Sequence, residues 1–201
     1  GIGHLAAGRT IHLLGEGWNF GEVANGQRFV QAAQGQLDGT GIGSFNDRLR
    51  DAVRGGGCCD STAEQAARRG WIHGSDGAAQ DAAGAERERA ANLVRVGLAG
   101  SLRQVPVRTV SGGTLPGGEV PYAGGQGAGF ASEPAEVVNY VENHDNPTLF
   151  DANALKLPPD TARAERARIQ HLGHALVAFS QGIAYFHAGQ DILRSKSMDR
   201  N

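Results

Sequence analysis

The sequence predicts an α/β fold that contains several parallel strands. Two apolar runs, TIHLL at residues 10–14 and VVNYV at residues 137–141, end abruptly in carboxylate, amide and aromatic residues. This pattern is typical of buried parallel strands, because such a sheet is covered on both faces and its C-terminal edge opens into an active site. Strand-like and helix-like segments also alternate along the chain, as a parallel sheet requires.

The first seventy residues are expected to hold two strands and two helices. Gly15 lets the chain turn at the end of the first strand, the glycines at 55–57 stop the first helix, and Ser61 caps the second. In order, these elements are a strand at 10–14, a strand at 39–45, a helix from Asn46 or Asp47 through about Val53, and a helix at 61–70.

The rest of the chain continues the alternation after a small-residue loop at 75–84. Residues 86–103 have apolar positions at helical spacing, with acids near the start and arginines near the end, which agrees with the helix dipole. Residues 111–132 are rich in glycine and predict a long irregular loop. The remaining elements are a strand at 137–143, a long amphipathic helix at 160–180, a strand at 183–187 and a polar final stretch.

Length and charge limit the possible functions. The chain has 201 residues and a formal net charge of −2, so it can form one domain with a core and gives no case for binding nucleic acid or an acidic membrane surface. No apolar run approaches the ~18–20 residues of a membrane span. The sequence starts at Gly1 and has neither an initiator Met nor the basic and apolar segments of a signal peptide, so the chain is expected to be a fragment. Its location stays open, with extracellular or periplasmic slightly favoured over cytoplasmic.

Glu16 is the first candidate catalytic residue. It lies in the string Gly-Glu-Gly-Trp, where the two glycines allow a substrate to approach closely. A carboxyl group at the tip of a buried strand beside Trp18 is partly removed from water, which favours the neutral form that a proton donor needs. The alternative is a surface glutamate that caps a helix.

Asp145 is the second candidate, and it lies between His144 and Asn146. A metal site is one alternative, but His144 and Asp145 are adjacent on a predicted strand and would point to opposite faces. A helix or turn cap is another alternative. Two carboxyl groups that converge on one pocket favour glycosidic chemistry.

Several other reactive side chains are interpreted as structural. His171 and His174 have helical spacing, but no acid completes a ligand set on that face, so they are expected to be helix-surface histidines. His73 is expected to pack in the core or anchor a loop. Cys58 and Cys59 are adjacent, and neighbouring cysteines rarely pair because the bridge strains the peptide between them. They are expected to be two small apolar loop residues.

Four longer blocks carry a resemblance to a known family. They resemble the later part of the catalytic domain of pullulanases and limit dextrinases, the starch-debranching members of the α-amylase family of glycoside hydrolases. The resemblance implies a partial (β/α)8 TIM barrel, roughly strands five to eight with inserted loops, in which residues 1–201 form a single fragment and the first half of the barrel is missing. The blocks are GEGWNFGEV (15–23), GTGIGSFNDRLRDAVRGGG (39–57), VNYVENHDNPTLFD (138–151) and QGIAYFHAGQDILRSKSMDRN (181–201).

The resemblance also implies roles for individual residues. Glu16 would be the general acid, which protonates the leaving oxygen and then activates water. Asp145 would stabilise the positively charged, oxocarbenium-like transition state. The residues implied to bind substrate are Trp18 as a stacking platform, His144 as a hydroxyl donor, Asn146, and Arg200.

One catalytic group is expected to be missing. Members of this family are retaining enzymes that use a nucleophilic Asp about 5 Å from the acid, and in the family this Asp precedes the acid in the sequence. Only fifteen residues precede Glu16, and none is an Asp. The chain alone is therefore not expected to be a competent hydrolase. It also departs from the family pattern at Asn19, Cys58-Cys59, Glu142-Asn143 and Pro147.

The expected function of the parent protein is hydrolysis of α-1,6 branch linkages in pullulan, starch or limit dextrin by a retaining mechanism. Two alternatives stay open: an isoamylase or α-1,4-acting member of the same family, and a non-catalytic glucan-binding barrel. The implied partners are a branched α-glucan and the rest of the parent barrel, without nucleic acid or membrane. No organic cofactor is implied. Calcium occurs in this family, but no segment has the ligand density of a calcium loop.

Overall fold

The computed structural model describes residue 4, residues 10–74 and residues 82–199. Within these ranges the chain forms six α-helices and six short strands. The helices are α1 (Gln34–Leu37), α2 (Asp47–Arg54), α3 (Thr62–Ala67), α4 (Ala82–Leu98), α5 (Leu149–Lys156) and α6 (Arg163–Phe179). The strands are β1 (Leu14–Gly15), β2 (Gly43–Phe45), β3 (Pro106–Arg108), β4 (Thr114–Pro116), β5 (Val137–Asn139) and β6 (Ile183–Ala184).

Four of the strands form one parallel sheet in the order β1-β2-β5-β6. The register pairs Leu14 with Gly43, Ser44 with Val137, and Val138 with Ile183. Strands β3 and β4 form a separate antiparallel pair. The α/β class and the parallel arrangement expected from the sequence are confirmed, and all polar strand ends therefore lie at one edge of the sheet.

The strands are shorter than the sequence predicted. In each of the four, pairing covers only two or three residues, and the first strand is exposed rather than buried as the sequence predicted. The clearest case is the first run, where only Leu14 and Gly15 pair with β2 and the side chains of Ile11 and Leu13 are 44% exposed. The predicted strands at 10–14, 39–45, 137–143 and 183–187 shrink to Leu14–Gly15, Gly43–Phe45, Val137–Asn139 and Ile183–Ala184.

The helix caps predicted at α2 and α3 are confirmed. The Asn46 side chain accepts a hydrogen bond from the Leu49 amide, and the Ser61 side chain accepts one from the Glu64 amide. Glu64 bonds back to the Ser61 amide at 2.8 Å, which completes a capping box. Such a cap contributes about 1 kcal/mol to helix stability.

Helix α4 does not run to residue 103 as predicted, because the chain turns at Gly100. Gly100 has φ +83°, in the left-handed region. Its amide bonds to the Gly97 carbonyl, and the Ser101 amide bonds to the Val96 carbonyl. This pair of bonds is a Schellman motif, which terminates a helix. The predicted loop at 75–84 ends by Ala82, where the helix begins, and its residues 75–81 lie outside the described ranges.

Four elements were not predicted: α1, β3, β4 and α5. The long loop at 111–132 contains β4, which pairs with β3, and it buries Val120 and Ala128 in the core. Helix α5 follows the polar end of the third predicted strand. It is capped by Thr148, whose side chain accepts a hydrogen bond from the Asp151 amide at 3.1 Å.

The main core lies among the helices and contains fully buried residues such as Leu49, Val53, Leu149 and Val177. Helices α2 and α4 approach closely, since a Cβ at Gly97 would lie 2.5 Å from the Leu49 side chain. Large apolar side chains are also exposed, among them Val30, Phe179 and Ile192, each more than three-quarters accessible to solvent. In the described ranges, no helix has the length and apolar character needed to cross a membrane.

Candidate active site

Glu16 and His144 meet at the C-terminal edge of the parallel sheet. Glu16 directly follows β1, and His144 lies in the loop after β5. Glu16 Oε1 is 3.1 Å from His144 Nε2, and the two side chains are 43% and 61% exposed. The fold therefore brings together two polar strings that are far apart in sequence, and both remain accessible to a ligand.

Asp145 is part of the same loop, directly after His144, and is partly buried. Its amide donates a hydrogen bond to Asn143 Oδ1 at 3.2 Å. Neither candidate carboxylate caps the helix that follows it: α5 is capped by Thr148, and the short 3-10 helix at Gly21–Gly26 begins after Phe20 without a side-chain cap. The helix-cap alternatives for Glu16 and Asp145 are therefore wrong.

Two buried or partly buried cations hold the loop from both sides. Arg54 Nη1 donates to the carbonyls of Val141 and Pro147, each at 3.1 Å. Lys196 Nζ donates to the His144 carbonyl at 2.5 Å and to the Asn146 carbonyl at 3.0 Å. Charge-assisted bonds of this kind are about twice as strong as neutral ones, so the backbone that carries His144 and Asp145 is well supported.

Asn146 has a left-handed backbone with φ +60°. Asparagine is one of the few residues other than glycine that adopts this conformation readily. The sharp turn at Asn146 directs the chain from the candidate site back into α5. Arg200, the last predicted substrate-binding residue, lies outside the described residues.

Glu142 is a buried acid beneath this loop, and sequence analysis did not assign it a role. Its side chain is 1% exposed, and Oε2 accepts a bond from the Leu149 amide at 2.6 Å. Oε1 lies 3.3 Å from His187 Nδ1 but makes no hydrogen bond. Burial raises the pKa of Glu142, although the Leu149 amide and Arg194 oppose the shift.

His187 links Glu142 to the final stretch of the chain. Arg194 Nη2 lies 2.7 Å from His187 Nδ1 and 3.0 Å from Nε2. Partial burial lowers the pKa of His187, and the positive charges of Arg194 and Lys196 lower it further. A neutral imidazole is therefore favoured, which lets a ring nitrogen accept a bond from Arg194.

A cluster of four aromatic side chains lies beside Glu16. Phe45 is its centre, with ring centroids 4.8 Å from Tyr140, 5.5 Å from Tyr185 and 6.4 Å from Trp18. Trp18 meets Phe45 edge-on at 69° and stays partly exposed. Such edge-to-face packing fixes the plane of the indole.

A network of hydrogen bonds around Arg50 and Asp51, which sequence analysis missed, holds the Tyr140 hydroxyl. Arg50 Nη1 lies 2.7 Å from the Tyr140 hydroxyl, and Arg50 Nε donates to Asp51 Oδ1 at 2.7 Å. The Tyr122 hydroxyl donates to Asp51 Oδ2 at 3.0 Å. The signal for this network was the run of alternating charges in α2, where three arginines are buried: Arg48, Arg50 and Arg54.

The described residues contain no group of three or more His, Cys, Asp or Glu side chains arranged to hold a metal ion. His171 and His174 have ring centroids 6.0 Å apart on α6. The residues at and just after these strand ends are instead two carboxylates, an imidazole and an indole, and Glu16 and His144 contact each other. Such a set can donate and accept protons and can bind hydroxyl groups.

Comparison with known proteins identifies the relatives of this sequence. Pullulanase 1, chloroplastic, from Arabidopsis thaliana is 44% identical over 201 residues, which cover 96% of this chain and 20% of that protein. A pullulanase from Klebsiella pneumoniae is 40% identical over 194 residues, which cover 95% and 17%. No protein-family model matches the chain.

The solved structures agree with the sequence matches. A crystal structure of a Klebsiella pneumoniae pullulanase in complex with maltotriose has a TM-score of 0.87 at 38% identity, covering 96% of this chain and 20% of that one. An apo pullulanase from Paenibacillus barengoltzii has a TM-score of 0.66 at 34% identity, covering 96% and 23%. The chain thus spans about a fifth of the length of the proteins it matches.

Proposed function

Because this chain is homologous to one segment of the pullulanases, we propose that it is part of a starch-debranching glycoside hydrolase that cleaves α-1,6 linkages in pullulan, starch or limit dextrin. The observation that carries the proposal is the meeting of Glu16 and His144 at the sheet edge, at 3.1 Å. Strand ends at the carboxyl edge of a parallel sheet are where catalytic residues are placed in barrel enzymes.

Glu16 acts as the general acid. It protonates the glycosidic oxygen as the bond breaks, and its carboxylate then removes a proton from the attacking water. The neighbouring His144 imidazole fixes the carboxyl group by its contact at 3.1 Å and offers a donor to a sugar hydroxyl.

Asp145 stabilises the transition state. Its carboxylate provides negative charge opposite the anomeric carbon, where positive charge develops. The backbone of its loop is held by Arg54 and Lys196. Trp18 stacks on the apolar face of a sugar ring, and Asn146 and Arg200 bind hydroxyl groups around it.

The mechanism retains the anomeric configuration, and its nucleophile comes from outside this chain. The residues before Glu16 contain no Asp, whereas a retaining glycosidase needs a second carboxylate about 5 Å from the acid. Residues 1–201 are one fragment of a (β/α)8 barrel, roughly strands five to eight. This proposal is supported by the exposed apolar side chains of Ile11 and Leu13, just before β1, and of Leu14 in β1. An edge strand with exposed apolar residues is usually covered or paired by another part of the protein.

The substrate is a branched α-glucan. The relatives include a pullulanase whose crystal structure was determined as a maltotriose complex. The polar sheet edge with Trp18 beside Glu16 suits sugar rings, which present hydroxyl groups at their rim and C–H groups on their faces. Nucleic acid and membrane have no part in this proposal.

The test is product analysis on pullulan with the full-length protein that contains this chain. Release of maltotriose supports α-1,6 cleavage, release of panose or isopanose identifies an α-1,4 enzyme instead, and binding without any product identifies a non-catalytic glucan-binding protein. Glu16→Gln should lower kcat by 10²–10⁴-fold, as expected for loss of a general acid.

The matched control is Glu22→Gln, since Glu22 lies on the same segment with its side chain 73% exposed. It should leave kcat unchanged. Equal activity of the Glu16→Gln and Glu22→Gln variants would remove Glu16 from the mechanism.

A further inference from the structure

Cys58 and Cys59 occupy a turn just after helix α2. The helix ends at Arg54, three glycines follow, and the two cysteines come next, both exposed to solvent. Their Sγ atoms are 2.7 Å apart, which is about 0.7 Å longer than a disulfide bond. The two thiols therefore point to the same side of the turn, although they are neighbours in sequence.

Bonds on both sides of the cysteines hold the turn in this shape. The Gly57 amide donates to Asp60 Oδ2 at 2.8 Å, so the residues that flank the pair are joined directly. Asp60 is itself held by Arg68 Nη1 at 2.9 Å. The buried Gln65 side chain donates from Nε2 to the Gly57 carbonyl at 2.5 Å. The sulfur contact is thus a property of a fixed turn.

We propose that Cys58 and Cys59 form a reversible disulfide with each other, and that this turn is a site of thiol–disulfide exchange with small disulfides of the glutathione class. The expectation from the sequence, two small apolar loop residues, does not account for their exposure or for their mutual contact. The proposal does not depend on the glycosidase function.

The exchange proceeds in two balanced steps. In the first, the Cys59 sulfur loses its proton and attacks the small disulfide, which forms a mixed disulfide and releases one small thiol. In the second, the Cys58 sulfur attacks Cys59 in the mixed disulfide, which forms the Cys58–Cys59 bond and releases the second small thiol. The two cysteines are oxidised by two electrons, and the small disulfide is reduced by two.

The order of attack follows from the surroundings of Cys58. Partial burial raises the pKa of the Cys58 thiol to about 11, and its contact with Cys59 contributes to the shift. Because the thiolate is the nucleophile, the raised pKa of Cys58 suits it to the resolving step, in which its target is already bound beside it.

The product is a strained bond, which makes it reversible. Adjacent Cα atoms across a trans peptide are about 3.8 Å apart, below the ~4.4–6.8 Å usual for disulfides. Strained and exposed disulfides are readily reduced, and such bonds are typically the labile or regulatory ones. A metal site is not supported, because the described residues supply no third ligand to the pair.

The experiment uses the full-length protein and peptide mass spectrometry. The protein is incubated with oxidised glutathione, remaining thiols are alkylated, and trypsin then releases residues 55–68 as one peptide, because Arg54 and Arg68 flank the pair. The proposal expects this peptide to be about 2 Da lighter than its fully reduced form, from loss of two hydrogens, and to regain both after dithiothreitol treatment.

The matched variants are Cys58→Ser and Cys59→Ser, each of which leaves one thiol on the exposed turn. Each should accumulate a glutathione adduct on the 55–68 peptide, since no second thiol is available to resolve it. Three results for the wild-type peptide would overturn the proposal. It could keep a glutathione adduct, it could link to a second chain, or it could remain fully reduced under conditions in which the single variants react.

Discussion

At the residue scale, the candidate site depends on a few side chains whose surroundings differ sharply. Glu16 and His144 are open to solvent, whereas Glu142, two residues before His144, is almost fully buried. The open pair is placed to meet a ligand, and the buried acid is placed to hold the loop. This division explains why two acids so close to one sheet edge are not equivalent.

The sequence could identify the open residues but not the buried one. Glu16 and Asp145 each end an apolar run, and that pattern is visible in a single string. The setting of Glu142 depends on contacts with Leu149 and His187. The contact with His187 joins residues 45 positions apart in sequence, so it cannot be predicted from a local sequence pattern.

Replacing Glu142 tests its part in holding the loop. Glu142→Gln keeps an oxygen for the Leu149 amide and should change the free energy of unfolding only slightly. Glu142→Leu leaves that buried amide without its partner, and it should cost about 1–3 kcal/mol. Denaturant unfolding of the full-length protein at pH 7 measures both. Equal stability of the two variants would contradict this role.

The pH dependence gives a second test of Glu142. Because its pKa is raised in the folded state, the folded protein keeps the proton to higher pH than the unfolded chain. The stabilisation is complete below the ordinary glutamate pKa and is lost as pH rises from there through the raised value. Glu142→Gln should lack this decline, and an unchanged pH profile in that variant would count against the burial effect.

At the scale of elements, the turn between α3 and α4 depends on His73. His73 is buried, as the sequence led us to expect, and its Nδ1 accepts a bond from the Gly70 amide at 2.9 Å. Nε2 lies 2.9 Å from Asn153 Oδ1 in α5. Since Nδ1 accepts, Nε2 must carry the proton, so the neutral imidazole joins this turn to α5.

Protonation of His73 should weaken that link. Burial lowers its pKa to about 4, and the charges of Lys156 and Arg69 add to the shift. The unfolded chain takes up the proton near pH 6.5, so stability is lost as pH falls from about 6.5 to about 4, by up to about 3 kcal/mol. Amide hydrogen-exchange protection around Gly70 measures this loss.

His73→Gln offers similar hydrogen bonds without a titration and should flatten the pH dependence. His171→Gln, an exposed histidine on α6, is the control and should leave the profile unchanged. A wild-type profile that is flat between pH 4 and 6.5 would contradict the buried neutral imidazole.

Helices and strands could be predicted where a few neighbouring residues determine them. Asn46 and Ser61 start helices as their side chains suggest. Gly100 marks the end of α4 in the sequence. The apolar residues at helical spacing continue beyond it, however, so a longer helix was predicted. The β3–β4 pair was not predictable because Thr114–Pro116 pairs with Pro106–Arg108, and turn-rich sequence around both strands resembles an ordinary loop.

At the scale of the whole molecule, several large apolar side chains of the described residues are exposed. Phe179 and Ile192 are about four-fifths exposed, and Phe186 is half-exposed. β1 and β6 are the two outer strands of the parallel sheet. Together these features favour a segment that is stabilised by the rest of a longer protein.

The isolated 201-residue chain should therefore behave as an incomplete fold. It should bind a hydrophobic dye and lose its structure over a broad temperature range, because the described residues leave both outer strands unpaired on one side and much apolar surface exposed. It should also release no sugar from pullulan. Dye fluorescence and a thermal melt followed by circular dichroism measure the first two properties. A sharp two-state melt of a monomer would contradict this expectation.

The central claim is that Glu16 and Asp145 act on one sugar at the C-terminal edge of the sheet. A crystal structure of the full-length protein with bound maltotriose tests it most directly. The account predicts a glucose ring stacked on Trp18, with His144 bonded to one of its hydroxyl groups and both carboxylates within one ring's width of its anomeric carbon. A sugar bound elsewhere, or Asp145 turned away from the ring, would contradict it.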